Sequence, residues 1–467
     1  MAFWRPEAPT PGRPRSVAAA LSFLWPGLGQ LYTGRRRLAI AFAVPAVLVL
    51  LVVIYEMRQG PLVFGTRFVS PRFALAALVI VVLLGAWRVV AVAHAFVAGE
   101  ALDTRRTLER AVLGALVAAI VVSHSAAGYM LWVTYNAGSK AFNPNNPDLV
   151  DLATPSLAPG ETPGPSDNAQ PSAAPPPPAD SRVTILFNGV DSSPSRGEHL
   201  YDSIMVVSHD PKTKSVQMVS VPRDISNFPL YFGGKAPDWM RLNALPTDVH
   251  AGFKSPDSPY MTLVNEVQYL VGVQIDYYAV MDLGAFVKMV DMVGGIDVNN
   301  PTTICDCASG SWPGYDWMDG SPYGFYLPAG PQHLDGRHAL AYVRSRHSAG
   351  QNDYSRQSRQ QQVLVALLHK MAEPGQLLNL PTLIDTLASS VTTTFPADKV
   401  ADYVAIGQDV PSGNIKQVVL DGEYFWGYLT SGASCLHYDK VADLSRQLFG
   451  QDSLWSGKAD PAQTCGT

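Results

Sequence analysis

Three long apolar runs in the first third of the chain constrain its fold more than any other feature. The first, residues 38–55, carries no charged side chain and would span about 27 Å as a helix, close to the apolar thickness of a bilayer. Residues 73–97 and 111–133 are long enough to cross as well. Only 16% of all residues are charged and 47% are hydrophobic, as expected of a chain with membrane segments. We therefore predict an all-α region with three transmembrane helices within residues 38–137.

Positive charges between the apolar runs predict their orientation. They cluster before the first run and between the second and third, at Arg35, Arg36, Arg37, Arg105, Arg106 and Arg110. Because cytoplasmic loops carry an excess of Arg and Lys, both clusters are expected inside the cell, and everything after residue 137 is expected outside. Pro26 and Gly27 interrupt an apolar segment at 17–32 that is too short to span. Residues 1–37 are therefore predicted to be a cytoplasmic tail and a re-entrant apolar hairpin.

The remainder of the chain divides into a linker and an outer domain. Residues 138–181 are rich in Pro, Ala, Ser and Gly, a composition that cannot bury a core and predicts a flexible linker. Strand-like and helix-like segments then alternate, which predicts an α/β fold over residues 182–421, an α-β-α sandwich with a central mixed sheet. The expected strands are 182–190, 203–208, 215–221, 277–280, 296–298 and 415–419. The expected helices are 260–271, 283–293, 354–370, 377–391, 397–406 and 441–448.

The cysteines all lie in the part predicted to be extracytoplasmic, at Cys305, Cys307, Cys435 and Cys465. Four cysteines allow three pairings, of which we favour Cys305 with Cys307 and Cys435 with Cys465. A zinc site is the alternative, although the spacing is not a standard one. Residues 305–327 form an irregular aromatic insertion that either stacks on sugar rings or packs on the domain as a disulfide-pinned loop. Residues 422–467 are predicted to be an extension pinned by a disulfide.

An arginine-rich stretch at 338–362 provides a candidate anion site. Arg344 and Arg346 are two apart, so in extended backbone they would point the same way. Arg356, Arg359 and Gln360 would share one face of the following helix. Guanidiniums directed at one point repel each other unless an anion lies between them, and Arg binds phosphate bidentately. A solvated basic surface is the alternative interpretation.

Acidic residues stand at the ends of the predicted strands. Asp191 ends the first strand, Asp202 opens the second, and Arg223 and Asp224 follow the third. Each has an ordinary explanation, as a turn starter, a strand cap or a local ion pair. Together with the arginine-rich stretch they fit a site where arginines bind a diphosphate and carboxylates hold a divalent cation. Such a site suffices for phosphoryl transfer, which needs mainly positioning and charge neutralisation.

A nucleic-acid partner is not expected. The formal net charge is −5, and the sequence contains no helix-turn-helix, no zinc-finger spacing and no basic arm.

The motifs, in their order along the chain, resemble those of the LytR-CpsA-Psr family of cell-wall assembly proteins. The matching pieces are ILFNGVDS at 185–192, YDSIMVVS at 201–208, VSVPRDI at 219–225, RLNA at 241–244, the segment 271–298, HLDGRHALAYVRSRH at 333–347 and NDYSRQSRQQQVL at 352–364. The resemblance implies a transferase in the bacterial cell membrane. It would move a glycopolymer from a polyprenyl diphosphate carrier, held in an apolar tunnel, to a peptidoglycan hydroxyl, forming a phosphodiester with the help of Mg²⁺ or Mn²⁺.

The resemblance also implies roles for individual residues. Asp191 and Asp202 match metal-associated acids, and Asp202, Arg344 and Arg346 are the expected catalytic residues. The expected diphosphate-binding set is Arg223, Arg241, Arg344, Arg346, Arg356, Arg359 and Gln360. Asp224, Asn243 and Asp353 are expected to support them. Leu200 stands where the family commonly has an arginine, so one phosphate contact is in question.

Two other functions remain open at this stage. A hydrolase of the lipid diphosphate would use the same site with water in place of the sugar hydroxyl. A non-enzymatic wall-binding or regulatory protein would hold an anionic polymer without turning it over.

Overall fold

The computed structural model describes residues 12–100, 106–142, 181–191, 200–248, 255, 257–307, 324–346, 348, 351–371, 373, 375, 386, 391–410 and 412–457. The chain divides into two compact units, Met1–Ser139 and Lys140–Thr467. Each unit has a hydrophobic core of its own. The central part of the predicted linker, residues 143–180, lies outside the described residues.

The first unit is built from helices. They are α1 (Arg15–Leu24), α2 (Leu28–Tyr32), α3 (Arg36–Glu56), α4 (Pro61–Thr66), α5 (Pro71–Ala98) and α6 (Arg106–Ala141). Three stretches are long and apolar enough to cross a membrane, namely Arg36–Gln59, Pro71–Ala98 and Thr107–Lys140. A long apolar helix is therefore present at each of the three predicted positions.

The N-terminal apolar segment is broken into two short helices, as the Pro-Gly pair predicted. Gly27 adopts a φ of 101°, a conformation that side chains with a Cβ rarely take, and this turns the chain between α1 and α2. Ser22 on α1 donates to Gln30 on α2 at 2.9 Å, and the Gln30 amide donates to the Ala91 carbonyl oxygen of α5 at 2.8 Å. Re-entry of this hairpin into the membrane stays a prediction.

A six-stranded mixed sheet forms the centre of the second unit. Its strands are β1 (Val183–Asp191), β2 (Leu200–Asp210), β3 (Ser215–Ser220), β4 (Tyr277–Asp282), β9 (Val391–Thr393) and β10 (Ile415–Val419), in the spatial order β10-β3-β2-β1-β4-β9. β1 runs parallel to β4 and β3 runs parallel to β10, whereas the other neighbours are antiparallel.

Shorter strands pair outside this sheet. The pairs are β5 (Ile296–Asn300) with β8 (Gly330–Leu334), β6 (Ile304–Cys307) with β7 (Gly324–Leu327), and β11 (Phe425–Tyr428) with β12 (Ser434–Leu436). The ends of the insertion expected to be irregular thus form a β-hairpin, and its middle, residues 308–323, lies outside the described residues.

Helices cover both faces of the central sheet. They are α7 (Leu245–Asp248), α8 (Pro259–Val271), α9 (Leu283–Met292), α10 (Gly336–Arg344), α11 (Asp353–Met371), α12 (Val400–Asp409) and α13 (Tyr438–Phe449). Because side chains alternate along a strand, Leu186 and Ile204 pack into a core with α8 and α13. Phe187 and Met205 point to the other face, where α9, α10 and α11 form a second core. The predicted α-β-α sandwich with a mixed sheet is confirmed.

Helix α10 was not predicted, and it corrects the expectation of extended backbone at Arg344. The Asp335 side chain caps the helix by accepting from the backbone N–H of His338 at 2.8 Å. Gly336 lets the helix approach α9 closely, since a Cβ there would lie 2.2 Å from the Val287 carbonyl oxygen. The predicted helix at 377–391 lies mostly outside the described residues, and Val391 belongs to β9 instead.

The disulfide between Cys305 and Cys307 is present, as favoured from the sequence. Cys435 is disulfide-bonded as well. Cys465 lies outside the described residues.

Candidate active site

A pocket of about 660 Å³ opens on the sheet face covered by α9, α10 and α11. Helix α11 supplies one row of its lining. The row begins with Arg356 and Gln360 and continues with Val363, Leu367 and Met371, at helical spacings of three and four residues. One helix face is therefore polar at its N-terminal end and apolar beyond, so the pocket has a charged end, here called the mouth, and an apolar end, here called the interior. Side chains of β4 and α9, among them Met281, Phe286 and Met289, line the apolar part.

A β-bulge directs Asp202 into the mouth. Gly189 pairs with Ser203 and Val190 pairs with Tyr201, so Asp202 between them has no partner on β1. In a regular strand Asp202 and Ser203 would face opposite sides, yet both line the pocket. Tyr201 remains buried in the opposite core. The bulge is what places a carboxylate at this point.

Arg223 stands among carboxylates at the mouth. Its guanidinium binds the Asp202 carboxylate, and its Nε lies 3.5 Å from Asp224 Oδ2. Arg241 Nη1 lies 3.3 Å from the other oxygen of Asp224. Burial lowers the pKa of Arg223, but Asp202, Asp224 and Asp353 outweigh it and raise the pKa above its ordinary value. Arg223 is therefore firmly charged.

Arg356 brings a second buried cation to the same point. Its side chain is 5% exposed, and its Nη2 lies 2.8 Å from Asp353 Oδ1 and donates to the Asp202 carbonyl oxygen at 3.3 Å. Burial lowers its pKa, Asp353 opposes this, and the nearby charges of Arg223 and Arg346 lower it further. Two further arginines therefore lie close enough to Arg356 to act on its charge.

The mouth gathers most of the predicted site residues. Those that line it are Asp202, Asp224, Arg223, Arg241, Asn243, Arg344, Arg346, Arg356 and Gln360. Gln360 accepts from the Ser203 hydroxyl at 3.1 Å and donates to the Val343 carbonyl oxygen at 3.4 Å, which joins α11 to β2 and α10. Five arginines thus converge from four separate segments of the chain.

Three predicted residues stand elsewhere. Arg359 does not line the pocket, which corrects its assignment to the diphosphate-binding set, because it donates to the carbonyl oxygens of Tyr342 and Ser345. Asp353 lies behind the lining and pairs with Arg356. Asp191 is the last residue of β1, and its side chain lies outside the described part of the structure.

Sequence reasoning missed Asn188, Ser203 and Asp282, which also line the pocket. Asp282 ends β4 beside Val190 of the parallel strand β1 and caps α9 by accepting from the Ala285 N–H at 2.7 Å. Carboxyl ends of adjacent parallel strands are a general location for ligand sites, and this signal was available once β4 was predicted. Asn188 is buried, accepting from the Tyr260 hydroxyl at 2.9 Å and donating to the Ser203 carbonyl at 3.3 Å.

A divalent cation at the mouth stays a prediction. Among the described residues, no group of three or more His, Cys, Asp or Glu could hold a metal ion by itself. Mg²⁺ does not need such a group, since it is usually held by one or two carboxylates together with phosphate oxygens and water. Asp202 offers a carboxylate in the pocket lining, where one of its oxygens is bound by Arg223.

Comparison with known proteins decides the family. Residues 161–447, more than half of the chain, match the model of the LytR_cpsA_psr family. The chain belongs to the LytR_cpsA_psr family. The resemblance predicted from the motifs is thereby confirmed.

Several curated relatives are similar to this LytR_cpsA_psr chain. The polyisoprenyl-teichoic acid–peptidoglycan teichoic acid transferase TagV of Bacillus subtilis is 28% identical over 211 residues, which are 45% of this chain and 49% of that protein. TagU of Bacillus mycoides is 30% identical over 223 residues, 47% and 62% of the two chains. The cell wall biosynthesis protein LcpA of Corynebacterium glutamicum is 26% identical over 288 residues, 57% and 50%. The matches span about half to three fifths of these relatives.

Solved structures are similar as well. The crystal structure of Bacillus subtilis TagV aligns with a TM-score of 0.43 at 24% identity, covering 57% of this LytR_cpsA_psr chain and 97% of that one. A protein from Streptococcus agalactiae aligns with a TM-score of 0.46 at 22% identity, covering 61% and 91%.

Proposed function

We propose that the protein transfers a glycopolymer from a polyprenyl diphosphate carrier to a hydroxyl group of peptidoglycan and forms a phosphodiester. The observation that carries this proposal is the division of one pocket into an apolar interior and a mouth with five arginines. A lipid with a strongly anionic head group is complementary to this pocket, because its chain suits the apolar interior and its head group suits the arginines. The printed names of TagV and TagU, teichoic acid transferases acting on polyisoprenyl carriers and peptidoglycan, point the same way.

In this proposal the carrier binds with its chain along α11. Leu367 and Met371 contact the chain, while Arg356 and Gln360 on the same helix face meet the diphosphate. Arg344 and Arg346 approach the diphosphate from the end of α10. Each guanidinium offers charge-assisted hydrogen bonds, which are about twice as strong as neutral ones.

The transfer step exchanges one phosphorus–oxygen bond for another. The acceptor hydroxyl oxygen bonds to the phosphorus that carries the glycopolymer, and the bond from that phosphorus to the bridging oxygen breaks. Polyprenyl monophosphate leaves, the glycopolymer remains linked through the new phosphodiester, and the hydroxyl proton passes to water. Arg223, Arg344 and Arg346 hold the phosphoryl oxygens in place and offset the negative charge on the leaving phosphate.

Asp202, together with Asp191 at the end of the neighbouring strand, is the pair we propose for Mg²⁺ or Mn²⁺. The cation would supply further neutralisation of the phosphoryl charge. Asp224 holds Arg241, Asp353 holds Arg356, and the Asn243 backbone N–H donates to the Arg223 carbonyl at 3.0 Å. These residues position the arginines rather than touch the substrate.

We further propose a multi-pass protein of the bacterial cell membrane with the pocket on the outside. The three candidate spans and the arginine clusters before the first and third of them support this orientation. Protease added to intact spheroplasts should then digest the second unit, and its protection until lysis would contradict the orientation.

The direct test incubates the full-length protein in micelles with a synthetic prenyl-diphosphate disaccharide and a peptidoglycan fragment, with and without Mg²⁺. Mass spectrometry should detect prenyl monophosphate and a phosphodiester-linked fragment, and Arg344→Ala should yield neither. Arg182→Gln is the matched control, because Arg182 pairs with Asp210 and Asp452 at the opposite end of β1. Saccharide phosphate and prenyl monophosphate without any phosphodiester-linked fragment would indicate a hydrolase, and bound but unconverted substrate would indicate a wall-binding protein.

A further inference from the structure

Ser345, which separates the two pocket arginines Arg344 and Arg346, is fully buried and held at three atoms. Its N–H donates to the Ala341 carbonyl oxygen at 2.9 Å. Its hydroxyl donates to Asp306 Oδ2 at 2.7 Å. Its own carbonyl oxygen accepts from the Arg359 guanidinium. The two arginines beside it, Arg344 at the end of α10 and Arg346 just after it, both line the pocket.

Arg359 binds the carbonyl oxygens at the C-terminal end of α10. Its Nε donates to the Tyr342 carbonyl oxygen at 2.8 Å, and the same guanidinium binds the Ser345 carbonyl and the Gln351 side chain. The last carbonyls of a helix have no partner within it, and a cation there also suits the helix dipole. The Arg359 side chain, 4% exposed, therefore fixes where α10 stops and the segment with Arg346 begins.

Asp306 supports the same segment from the other side. It is 3% exposed and lies between the two cysteines of the Cys305–Cys307 disulfide. The Cys305 backbone N–H donates to the Ser348 hydroxyl at 2.9 Å. The serines on either side of Arg346, one directly before it and one two residues after, are thus both hydrogen-bonded to this disulfide-closed tripeptide.

We propose that Asp306 and Arg359 are positioning residues for the diphosphate site, and that the Cys305–Cys307 disulfide braces Asp306. They hold Ser345 from two sides, so that Arg344 and Arg346 face the pocket before any ligand arrives. The proposal rests on the proposed function, because the ligand it concerns is the lipid diphosphate.

Holding Arg344 and Arg346 in place before binding should increase the affinity for the diphosphate. A guanidinium on a mobile segment loses conformational freedom when it binds phosphate, whereas one that is already held loses less. The disulfide closes a ring that contains Asp306, which limits how far the carboxylate can move from Ser345. Opening that ring is expected to weaken binding of the diphosphate without emptying the apolar part of the pocket.

The test compares two ligands of the full-length protein in micelles. Geranylgeranyl diphosphate probes the arginines, and geranylgeraniol, the same chain without phosphates, probes the apolar interior. Asp306→Ala and a Cys305→Ser/Cys307→Ser double variant should raise the Kd for geranylgeranyl diphosphate roughly 10- to 100-fold, the scale on which misplaced groups lose function. Geranylgeraniol binding should stay within a factor of about two, the scatter expected where no contact changes.

Two further variants separate positioning from folding. Asp306→Asn keeps an oxygen that accepts from Ser345 and should restore much of the affinity lost in Asp306→Ala. Arg182→Gln removes an ion-paired arginine far from the pocket and should change neither ligand. Equal weakening of both ligands in Asp306→Ala would show a collapsed fold rather than a misplaced arginine and would overturn the proposal.

Three other outcomes would each overturn part or all of the proposal. Unchanged diphosphate binding in Asp306→Ala, in a protein where Arg344→Ala does weaken it, would overturn the positioning role and leave the proposed function standing. No diphosphate binding by the unaltered protein would overturn both. Alkylation of Cys305 and Cys307 in the native, unreduced protein would show free thiols and overturn the brace.

Discussion

Glu266 on α8 provides a stability prediction that is independent of the pocket. Its side chain is fully buried, and its Oε2 accepts from the Tyr231 backbone N–H at 3.1 Å. Its Oε1 is buried without a hydrogen-bond partner. Burial raises the pKa of Glu266 from 4.5 to about 8, although the Tyr231 hydrogen bond lowers it in part. At neutral pH the carboxyl group is therefore protonated in the folded protein and ionised in the unfolded chain.

The sign of the pH dependence follows from this difference. Between pH 4.5 and about 8 the folded state keeps a proton that the unfolded state has released, so the free energy of unfolding falls as pH rises through this window. At about 1.36 kcal/mol per pKa unit, the shift corresponds to roughly 3 to 5 kcal/mol lost by pH 8. A neutral residue of the same shape does not incur this loss.

Glu266→Gln tests the reasoning. Urea unfolding of the full-length protein in micelles should show similar stability for the variant and the unaltered protein at pH 4.5. At pH 8 the variant should be the more stable by a few kcal/mol, an order set by the same pKa shift. Glu423→Gln is the control, since Glu423 is exposed. Parallel pH profiles for all three proteins would refute the buried, protonated carboxyl group.

Three further predictions concern the pocket and its support. Arg356→Ala removes a buried charge from the mouth and should lower transfer roughly 10- to 100-fold, the value of a hydrogen bond to a charged group, as measured by product formation. Leu367→Gln places an amide in the apolar interior and should weaken geranylgeranyl diphosphate binding while inorganic pyrophosphate still binds, as calorimetry would show. Gly336→Ala inserts a Cβ 2.2 Å from a backbone oxygen of α9 and should destabilise the domain by about 1–3 kcal/mol, as thermal unfolding would show.

The architecture was largely accessible from the sequence because its strongest elements are periodic. Strand β1 and helix α8 lie within one residue of their predicted ends, since apolar runs and alternation specify them locally. Helix α10 was missed because it has only nine residues, among them a glycine, two arginines and two other polar side chains. Its capping aspartate, Asp335, was the one local signal.

That missed helix explains the wrong assignment of Arg359. Spacing places Arg356, Arg359 and Gln360 close together on α11, and nothing in the sequence distinguishes the row that meets the pocket from the row beside it. Helix α10 is what keeps Arg359 out of the pocket, because the Arg359 guanidinium donates to the Tyr342 and Ser345 carbonyl oxygens. Because α10 was not predicted, the carbonyl oxygens at its end could not be recognised from the sequence as partners of Arg359. The bulge at Asp202 was equally inaccessible, since it exists only in the pairing of β2 with β1.

Under the proposed function, helix α11 would contact both the head group and the chain of the lipid carrier. Its pocket-facing row passes from Arg356 and Gln360 to Leu367 and Met371 on a single rigid helix. At about 1.5 Å per residue, the distance from Arg356 to Met371 along the helix axis is about 22 Å. The residues proposed for the diphosphate and those proposed for the lipid chain therefore lie at a fixed distance from one another. Under the proposed function, a carrier whose chain fills the interior would place its reacting phosphorus beside Arg344 and Arg346. Because the helix fixes this distance, a shorter prenyl chain should first lower the affinity for the carrier. The rate of the chemical step should fall only when the diphosphate no longer contacts the arginines.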